Sequence, residues 1–274
     1  MPELPEVEVI KRGLIPHVVG RKITDISSSR KKLRLEVPIK KLDQLIKNSS
    51  IKAIHRRAKY LLFEMTNGAM MIIHLGMSGK LTLFPAKAPQ AIHDHLRFRL
   101  DNKMEMRFND TRRFGFVQVM DKEEFAKKKP FDHLGPEPLE EDFTASYLKK
   151  KAGKRVQPIK NFLMDSRMVV GIGNIYANEI LFYANILPTT PIGSLTRPMW
   201  ERIVHFSREV LARAIKSGGS TIADFVGSSG EPGYFQLELM VYGRADEPCK
   251  LCITPISKTV IGGRATYFCP RCQK

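Results

Sequence analysis

Cys249-Lys250-Leu251-Cys252 and Cys269-Pro270-Arg271-Cys272 indicate how the last part of the chain folds. These two segments contain all four cysteines of the 274 residues. Two Cys-x-x-Cys knuckles separated by the 16 residues 253–268 have the spacing that presents four thiolates to one tetrahedral zinc ion. A pair of disulfides is the alternative, which a cytoplasmic redox setting disfavours. Four thiolates leave no open coordination position, so we expect one structural Zn²⁺. Its ligands would be Cys249, Cys252, Cys269 and Cys272.

The segment between the knuckles has the pattern of a two-stranded hairpin. Thr259-Val260-Ile261 and Ala265-Thr266-Tyr267-Phe268 alternate on either side of Gly262-Gly263-Arg264, which would form the tip. A ribbon this short is marginal in water, so the metal would supply its folding free energy. Arg264 would then stand at the end of a metal-pinned finger, where it could hold a phosphate. The alternative for Arg264 is an ordinary exposed turn residue.

The other end of the chain begins Met1-Pro2-Glu3-Leu4-Pro5-Glu6-Val7. Removal of Met1 would expose the secondary amine of Pro2, and only a secondary amine condenses with an aldehyde-like carbon to a permanently charged iminium ion. An α-amino group titrates near about 7.7–8.0, so an unprotonated, nucleophilic fraction exists near neutrality. Glu3 is a candidate proton donor, and Pro5 suits the first turn of a helix. The alternative is that these residues only start that helix.

The charge balance points to a polyanionic partner. Lys and Arg number 45 against 28 acidic residues, a formal net charge of +17, and the basic residues are spread over the whole length. Such an excess favours nucleic acid over a membrane surface. Apolar residues make up 43%, enough for packed cores, and the length suggests two domains. The sequence has no apolar run near the roughly 18 residues of a membrane span and its N-terminus is charged, so we expect a cytoplasmic protein.

Residues 1–120 have the pattern of short strands that follow the first helix. Tyr60–Met65 and Ala69–His74 flank Thr66-Asn67-Gly68, which is a hairpin signal. Apolar and polar residues alternate on both sides of Asp101-Asn102, which indicates a second hairpin, and Phe114–Val119 supplies another strand. Several short strands with regular turns predict a sandwich or a barrel.

After residue 120 the composition changes to a linker and then to helices. The helices are predicted at Pro158–Ser166, Asn174–Ala184 and Pro198–Lys216. Gly171-Ile172-Gly173-Asn174 precedes the second of them, with Asn174 as the expected N-cap, and backbone N–H groups at such a helix start suit a phosphate. Most turns of this kind only join helices. A glycine-rich stretch at 217–235 could be a lid over a bound base or a plain connecting loop.

These features coincide in one family. The sequence resembles formamidopyrimidine-DNA glycosylase, the bacterial enzyme that removes 8-oxoguanine and ring-opened purines from DNA, and the resemblance covers the whole length. The shared motifs are Pro2-Glu-Leu-Pro-Glu-Val-Glu8, Arg57-Ala-Lys-Tyr60, His74-Leu-Gly-Met-Ser-Gly79, Arg112-Arg-Phe-Gly115, Leu134-Gly-Pro-Glu-Pro138, Gly171-Ile-Gly-Asn-Ile-Tyr176, Val241-Tyr-Gly243 and Gly263-Arg-Ala-Thr-Tyr-Phe-Cys-Pro-Arg-Cys272. In the related endonuclease VIII branch, which prefers oxidised pyrimidines, the third mature residue is typically glycine. Leu4 at this position favours the purine branch.

The resemblance implies an α+β fold with DNA held between two domains. The expected order is a catalytic β-sandwich with its N-terminal helix at 1–120, a linker at 121–140, a helix-two-turn-helix domain with a lesion-contacting loop at 141–240, and a four-cysteine zinc-finger hairpin at 241–274. The implied partner is double-stranded DNA that contains oxidised purines or abasic sites. We expect a monomer that acts at the nucleoid and not at a membrane.

The resemblance also implies roles for individual residues. Pro2 would attack C1′ of a flipped nucleotide and form a Schiff base, while Glu3 would protonate the opening sugar. Successive β- and δ-eliminations would then cut the strand, so one site would act as glycosylase and lyase. Further active-site groups would be Glu6 in support, Lys59 near the lesion and Arg264 at a phosphate. Further DNA contacts would be His93, Lys160, Asn174 and Arg112.

Three side chains match those that fill the space left by the flipped base: Met77, Arg112 and Phe114. An apolar wedge would offset part of the cost of extruding a base from the stack. By residue type alone, Met77 could belong to the core and Phe114 to a buried strand, although their glycine, serine and arginine neighbours favour loop tips.

Two other functions remain compatible with the sequence. A zinc-containing protein that recognises damaged DNA without chemistry would need neither Pro2 nor Glu3. An endonuclease VIII-like enzyme for oxidised pyrimidines would keep the same chemistry and differ in the base it accepts.

Overall fold

The computed structural model describes residues 2–218 and 239–274. Their contacts divide into two compact units. The N-terminal unit holds the described residues up to Asp132 together with Gly218, and the C-terminal unit holds His133–Ser217 with the described residues from 239 to Lys274. The glycine-rich loop expected at 217–235 lies, apart from its first two residues, outside the described residues.

The described part of the N-terminal unit contains three helices and eight strands. The helices are α1 (Leu4–Val18), α2 (Ile39–Ile46) and α3 (Lys122–Lys128). The strands are β1 (Ile23–Ser28), β2 (Ile51–Arg57), β3 (Tyr60–Met65), β4 (Met70–His74), β5 (Gly79–Pro85), β6 (Asp94–Leu100), β7 (Met104–Asp110) and β8 (Phe116–Met120). They form two antiparallel four-stranded sheets, in the orders β1-β6-β7-β5 and β2-β3-β4-β8.

The two sheets share one hydrophobic core, which confirms the predicted sandwich. Phe98 and Phe108 come from one sheet and Phe63 from the other, and all three side chains are fully buried. Helix α1 adds Val7 and Leu14, seven residues apart and both fully buried, so the helical periodicity of the N-terminal segment points into this core. Burying a large apolar side chain contributes about 1.5–3 kcal/mol, so the core holds α1 against the sheets.

Both predicted hairpins are confirmed, and two short helices of this unit were missed. Strand β3 pairs with β4, and β6 pairs with β7. The strand expected from Phe114 begins two residues later, at Phe116. Helix α2 buries only Leu42 and Ile46, which is too brief a pattern for a periodicity argument. Helix α3 lies in the expected linker, and its N-cap is Asp121, whose side chain accepts from the N–H of Glu124 at 2.8 Å.

The C-terminal unit contains helices and one hairpin. The helices are α4 (Ala145–Ala152), α5 (Ile159–Met164), α6 (Asn174–Tyr183) and α7 (Arg197–Lys216), with a short 3-10 helix at Ile192–Ser194. The strands are β9 (Ser257–Ile261) and β10 (Arg264–Phe268). The helices pack on a core in which Phe162 meets Trp200 edge to face at 5.6 Å. Helix α4 was not predicted from the sequence. Among the described residues, no helix is long and apolar enough to cross a membrane.

The turn of the β9–β10 hairpin is Gly262-Gly263, not the three residues that the sequence suggested. Both glycines have positive φ, 56° and 71°, as a two-residue hairpin turn requires. A Cβ on Gly262 would also lie 2.8 Å from Oδ1 of Asn161. Arg264 is therefore the first residue of β10, paired with Ile261, and its side chain is exposed.

Candidate active site

Pro2 lies directly before the start of α1, and two carboxyl groups define that start. Glu3 is the N-cap, and its backbone N–H donates to Oε2 of Glu6 at 2.8 Å, as in a capping box. Both acidic residues are buried, at 1% and 3% exposure. The positive end of the helix dipole favours carboxylates and a neutral amine at this position. The Glu-x-x-Glu spacing of Glu3 and Glu6 is the sequence signal for this cap.

Glu8 ties α1 to the second sheet, and the sequence did not single it out. It is 7% exposed, and its carboxylate accepts from Nε of Arg56 on β2 at 3.0 Å and from Nε of Arg12 at 2.9 Å. Nζ of Lys11 lies 2.8 Å from the same group. Burial alone would raise the pKa of Glu8, but these hydrogen bonds outweigh it and leave the pKa lowered. The charged cluster therefore fixes the helix that begins behind Pro2.

Lys59 lies in the turn between β2 and β3, half-buried and close to His74 at the end of β4. The His74 ring stacks on Phe116 with centroids 5.5 Å apart, and its Nδ1 accepts from the N–H of Gly76 at 3.1 Å. Burial, and then the positive charges of Lys59 and Arg34, lower the pKa of His74 to about 4. His74 is thus neutral near pH 7, with its proton on Nε2.

The low pKa of His74 predicts a pH-dependent stability. Between about pH 6.5 and 4 the unfolded chain takes up a proton that the folded chain refuses, so the free energy of unfolding falls as the pH falls. His74→Gln keeps an acceptor for Gly76 and removes this titration. We expect the variant to lose less stability than the wild type between pH 7 and 4.5, by on the order of 2 kcal/mol in urea unfolding. His205→Gln, on an exposed position of α7, is the control. An unchanged pH slope in His74→Gln would contradict the prediction.

The three proposed wedge residues lie on two loops of the N-terminal unit. Met77 is half-buried in the turn between β4 and β5, while Arg112 and Phe114 are exposed on the loop between β7 and β8. Phe114 is 45% exposed, so it is a loop residue and not a buried strand residue. The guanidinium of Arg112 lies over the Phe114 ring, 4.8 Å from its centroid.

The two loops touch backbone to backbone. Gly76 has φ 65°, and a Cβ there would lie 2.4 Å from the backbone N of Gly115. Only glycine allows this approach, so the structure brings Met77 and Phe114 to neighbouring loops. His93 is half-buried just before β6, with its ring centroid 6.0 Å from that of His95.

In the C-terminal unit, the predicted residues Asn174 and Lys160 meet at β10, next to Arg264. Nδ2 of Asn174 and Nζ of Lys160 each donate to the backbone O of Ala265 at 3.0 Å. Asn174 is not the N-cap of α6, as the sequence suggested. Gly173 occupies the cap and Asn174 is the first helical residue, because its side chain is directed at β10 rather than at its own helix.

Lys160 was expected among the DNA contacts, and the structure gives it a fully buried side chain. Its ammonium also donates to Oγ1 of Thr266 at 2.6 Å. A buried ammonium needs such partners, since desolvation without them is costly. In this structure Lys160 therefore supports the strand that carries Arg264.

Two buried polar residues of α6 were missed. Oδ1 of Asn178 accepts from the N–H of Tyr267 on β10 at 2.8 Å. The carboxyl of Glu179 accepts from the N–H groups of Met240, Val241 and Tyr242 at 2.8–3.0 Å. Burial raises the pKa of Glu179 despite these hydrogen bonds. The available signal was two adjacent polar residues inside an otherwise apolar helix.

The four cysteine sulfurs form one cluster, within 4.8 Å of one another. Sγ of Cys249 lies 3.9 Å from that of Cys272, and Sγ of Cys252 lies 3.4 Å from that of Cys269. Hydrogen bonds from Thr254 lower the pKa of Cys252 to about 6, whereas burial and then the neighbouring sulfurs raise the pKa of Cys272. Four thiolates this close need a cation, and Zn²⁺ fits a closed set of four sulfur donors.

Three family models match the chain. They are the formamidopyrimidine-DNA glycosylase N-terminal domain at residues 1–117, the formamidopyrimidine-DNA glycosylase H2TH domain at 134–226, and the zinc finger found in FPG and IleRS at 246–274. The chain belongs to the formamidopyrimidine-DNA glycosylase family. It is therefore a DNA glycosylase of base excision repair, and its cysteine cluster is the zinc site of the family's finger.

Individual members of the formamidopyrimidine-DNA glycosylase family match over the full length. The formamidopyrimidine-DNA glycosylase of Saccharophagus degradans is 44% identical over 274 residues, which is 100% of both chains. A Lactococcus lactis FPG mutant solved with a Fapy-dG-containing DNA has a TM-score of 0.91 at 34% identity, with 100% of both chains covered. The wild-type Lactococcus lactis protein solved with an oxidised-pyrimidine-containing DNA has a TM-score of 0.90 at 34% identity, again over 100% of both chains.

Proposed function

We propose that this protein is a bifunctional DNA glycosylase and AP lyase that removes oxidised purines, 8-oxoguanine and formamidopyrimidines, from double-stranded DNA. The observation that carries the proposal is the position of Pro2 directly before the capped start of α1, next to the buried carboxyl groups of Glu3 and Glu6. The formamidopyrimidine lesion in the DNA bound by the similar Lactococcus lactis protein supports the substrate class.

Base release would begin with the unprotonated amine of Pro2. Its lone pair attacks C1′ of the flipped nucleotide, the bond from C1′ to the base breaks, and the base leaves with the bonding electrons. The base takes up the proton that the attacking nitrogen loses. Glu3 supplies a proton to the sugar ring oxygen, the ring opens, and the C1′–N bond becomes the iminium. Glu6 acts on Glu3 through the 2.8 Å hydrogen bond to its backbone N–H, so it is a positioning residue.

Strand cleavage would follow from the charge on the iminium. The positive nitrogen withdraws electrons and acidifies the C2′ protons. Loss of one of them expels the 3′-phosphate in a β-elimination, and a second elimination expels the 5′-phosphate. Lys59, half-buried beside the neutral His74, would assist this chemistry near the lesion.

DNA would be held mainly through its phosphates. The net charge of +17 supplies long-range attraction, and this attraction weakens with salt. Arg264 is exposed at the start of β10, and Asn174 lies at the adjacent Ala265, so the two would clamp phosphates near the lesion. His93 would add a contact from the N-terminal unit, and Lys160 would act indirectly, by holding β10.

The wedge predicts a difference between two substrates. Flipping costs on the order of a few kcal/mol, and stacking of a neighbouring base on the exposed Phe114 ring would return about 1–3 kcal/mol of it. Phe114→Ala should therefore slow excision from duplex DNA by about tenfold or more and change cleavage at a preformed abasic site much less. The measurement is single-turnover cleavage of both substrates. Equal slowing of the two would contradict the wedge role.

Arg112 predicts a change in base selectivity. Its guanidinium offers only donors, which suit the O2 and N3 acceptors of an orphan cytosine better than the edge of adenine. We expect Arg112→Ala to shrink the preference for 8-oxoguanine paired with cytosine over adenine, by several-fold. Unchanged selectivity would mean that another group reads the opposite base.

Borohydride trapping tests the proposed function as a whole. The protein would be incubated with duplexes that carry 8-oxoguanine or an oxidised pyrimidine, reduced, and the crosslinked peptide identified. A crosslink at Pro2 with 8-oxoguanine duplex supports the proposal. Preferential trapping on the pyrimidine duplex would favour the second candidate, an endonuclease VIII-like specificity, which the solved complex with oxidised-pyrimidine DNA keeps open. Binding without trapping would indicate a damaged-DNA-binding protein.

A further inference from the structure

A single buried carboxylate lies between the two loops that carry Met77, Arg112 and Phe114. Asp110, the last residue of β7, has no exposed surface. Its Oδ1 accepts from Oγ of Ser78 at 2.5 Å, and its Oδ2 accepts from the backbone N–H of Gly115 at 2.8 Å. One oxygen thus binds the residue after Met77, and the other binds the residue after Phe114.

Ser78 extends this link to the third side chain. Its Oγ donates to Asp110 and also accepts from the backbone N–H of Arg112 at 3.0 Å. The backbone O of Asp110 accepts from the N–H of Arg113 at 3.2 Å, which closes the turn that presents Arg112. The carboxylate of Asp110 therefore binds the loop of Met77 through one oxygen and the loop of Phe114 through the other.

The same residue reaches the segment of His93. The backbone N–H of Asp110 donates to the backbone O of His93 at 3.1 Å, and Nε2 of His95 lies 3.1 Å from the backbone O of Asp110. The backbones around the carboxylate are closely packed, because a Cβ on Gly115 would lie 3.1 Å from Oδ2 of Asp110 and 2.6 Å from Cζ of Phe108. The close packing and these hydrogen bonds together restrict the positions that the two loops can take.

We propose that Asp110 is a positioning residue that holds Met77, Arg112 and Phe114 in one arrangement and thereby sets both the rate of base extrusion and the selectivity for the opposite base. The inference rests on the proposed function, since it assigns a cause to the behaviour of the wedge. Asp110 touches neither the lesion nor the reacting atoms in this scheme. It acts through Ser78 and Gly115.

The substitution that tests the inference is Asp110→Asn. An amide has the size of a carboxylate but replaces one acceptor by a donor, so the amide NH₂ would face either the hydroxyl of Ser78 or the N–H of Gly115. Ser78→Ala removes the extension to Arg112 and leaves the bond to Gly115. Glu105→Gln is the matched control, because Glu105 is also a buried carboxylate of β7, 1% exposed. Among the described residues, it accepts from Nε of Arg107 at 2.7 Å and makes no hydrogen bond to either loop.

Each protein would be assayed for single-turnover excision of 8-oxoguanine paired with cytosine or adenine, and for cleavage of a preformed abasic site. Rates are normalised to the fraction of protein that borohydride traps on abasic DNA, so loss of folded protein does not enter. We expect Asp110→Asn to slow excision opposite cytosine by about tenfold and to shrink the cytosine-to-adenine ratio, with abasic cleavage within about twofold of wild type. Ser78→Ala should shift the ratio in the same direction, by less.

Two outcomes would overturn the inference. One is a wild-type cytosine-to-adenine ratio in both Asp110→Asn and Ser78→Ala, and the other is the same loss of selectivity in Glu105→Gln. Should Asp110→Asn yield no folded protein, Ser78→Ala still decides between these results. A wild type that excises no 8-oxoguanine would contradict the proposed function itself. The role of Asp110 alone would be contradicted if the wild type excises 8-oxoguanine, Arg112→Ala loses the preference for cytosine, and the Asp110 and Ser78 variants keep it.

Discussion

Pro2→Gly is expected to abolish base release and borohydride trapping, by three orders of magnitude or more, the scale of losing a catalytic nucleophile. A primary amine gives an imine that can lose its proton and its charge, whereas the secondary amine of Pro2 gives an iminium that stays charged. The fold should be unaffected, because Pro2 precedes the N-cap Glu3 and α1 begins at Leu4. Affinity for an abasic analogue should largely survive, since the proposed phosphate clamps are on other elements.

A blocked N-terminus provides the matched control for this result. A protein with a cleavable extension ahead of Pro2 should be inactive, and the same preparation should become active once a protease exposes the amine. The readouts are single-turnover excision, trapping, and binding to a tetrahydrofuran duplex. Trapping at the normal rate in the blocked form would exclude Pro2 as the nucleophile.

Loss of the zinc ion is expected to have the second largest effect. Cys249→Ser or Cys272→Ser should release the metal and unfold the 249–272 finger, because zinc binding to four thiolates supplies the folding free energy of so short a hairpin. Arg264 would lose its place at the start of β10. We expect affinity for an abasic-analogue duplex to fall about tenfold to a hundredfold, since the proposed contact of Arg264 with a phosphate, a charged hydrogen bond of about 1.5–3 kcal/mol, is lost.

The N-terminal unit provides the internal comparison in this experiment. Its core contains none of the cysteines, so α1 and its cap should stay folded in the variants. Leu251→Ser is the control, because Leu251 lies in the same knuckle, is 67% exposed and is not a ligand. Released zinc would be measured with a chromogenic chelator and affinity by fluorescence anisotropy. Full DNA affinity in a zinc-free variant would refute the proposed role of the finger.

The residues most accessible to sequence reasoning were those with local signatures. The cysteine spacing predicted the sulfur cluster, and the two glycines between the knuckles predicted the hairpin turn to within one residue. The Asn-Gly signal predicted the pairing of β3 with β4. Helices α2, α3 and α4 were missed because each buries at most two residues, which is too few for a periodic apolar pattern.

The family, the sandwich, the zinc ligands and the helix after Pro2 could be predicted from the amino-acid sequence, because spacing, turn residues and apolar periodicity are properties of neighbouring residues. The pairing of the buried polar groups could not be predicted, because it depends on the tertiary fold. Asp110 and Ser78 are 32 residues apart, and Lys160 and Thr266 are 106 apart. Burial makes such partners obligatory, since an unpaired polar group away from water costs on the order of 1–3 kcal/mol. A local sequence pattern does not predict which two buried polar residues form a hydrogen bond, because the packing of strands and helices brings the two together.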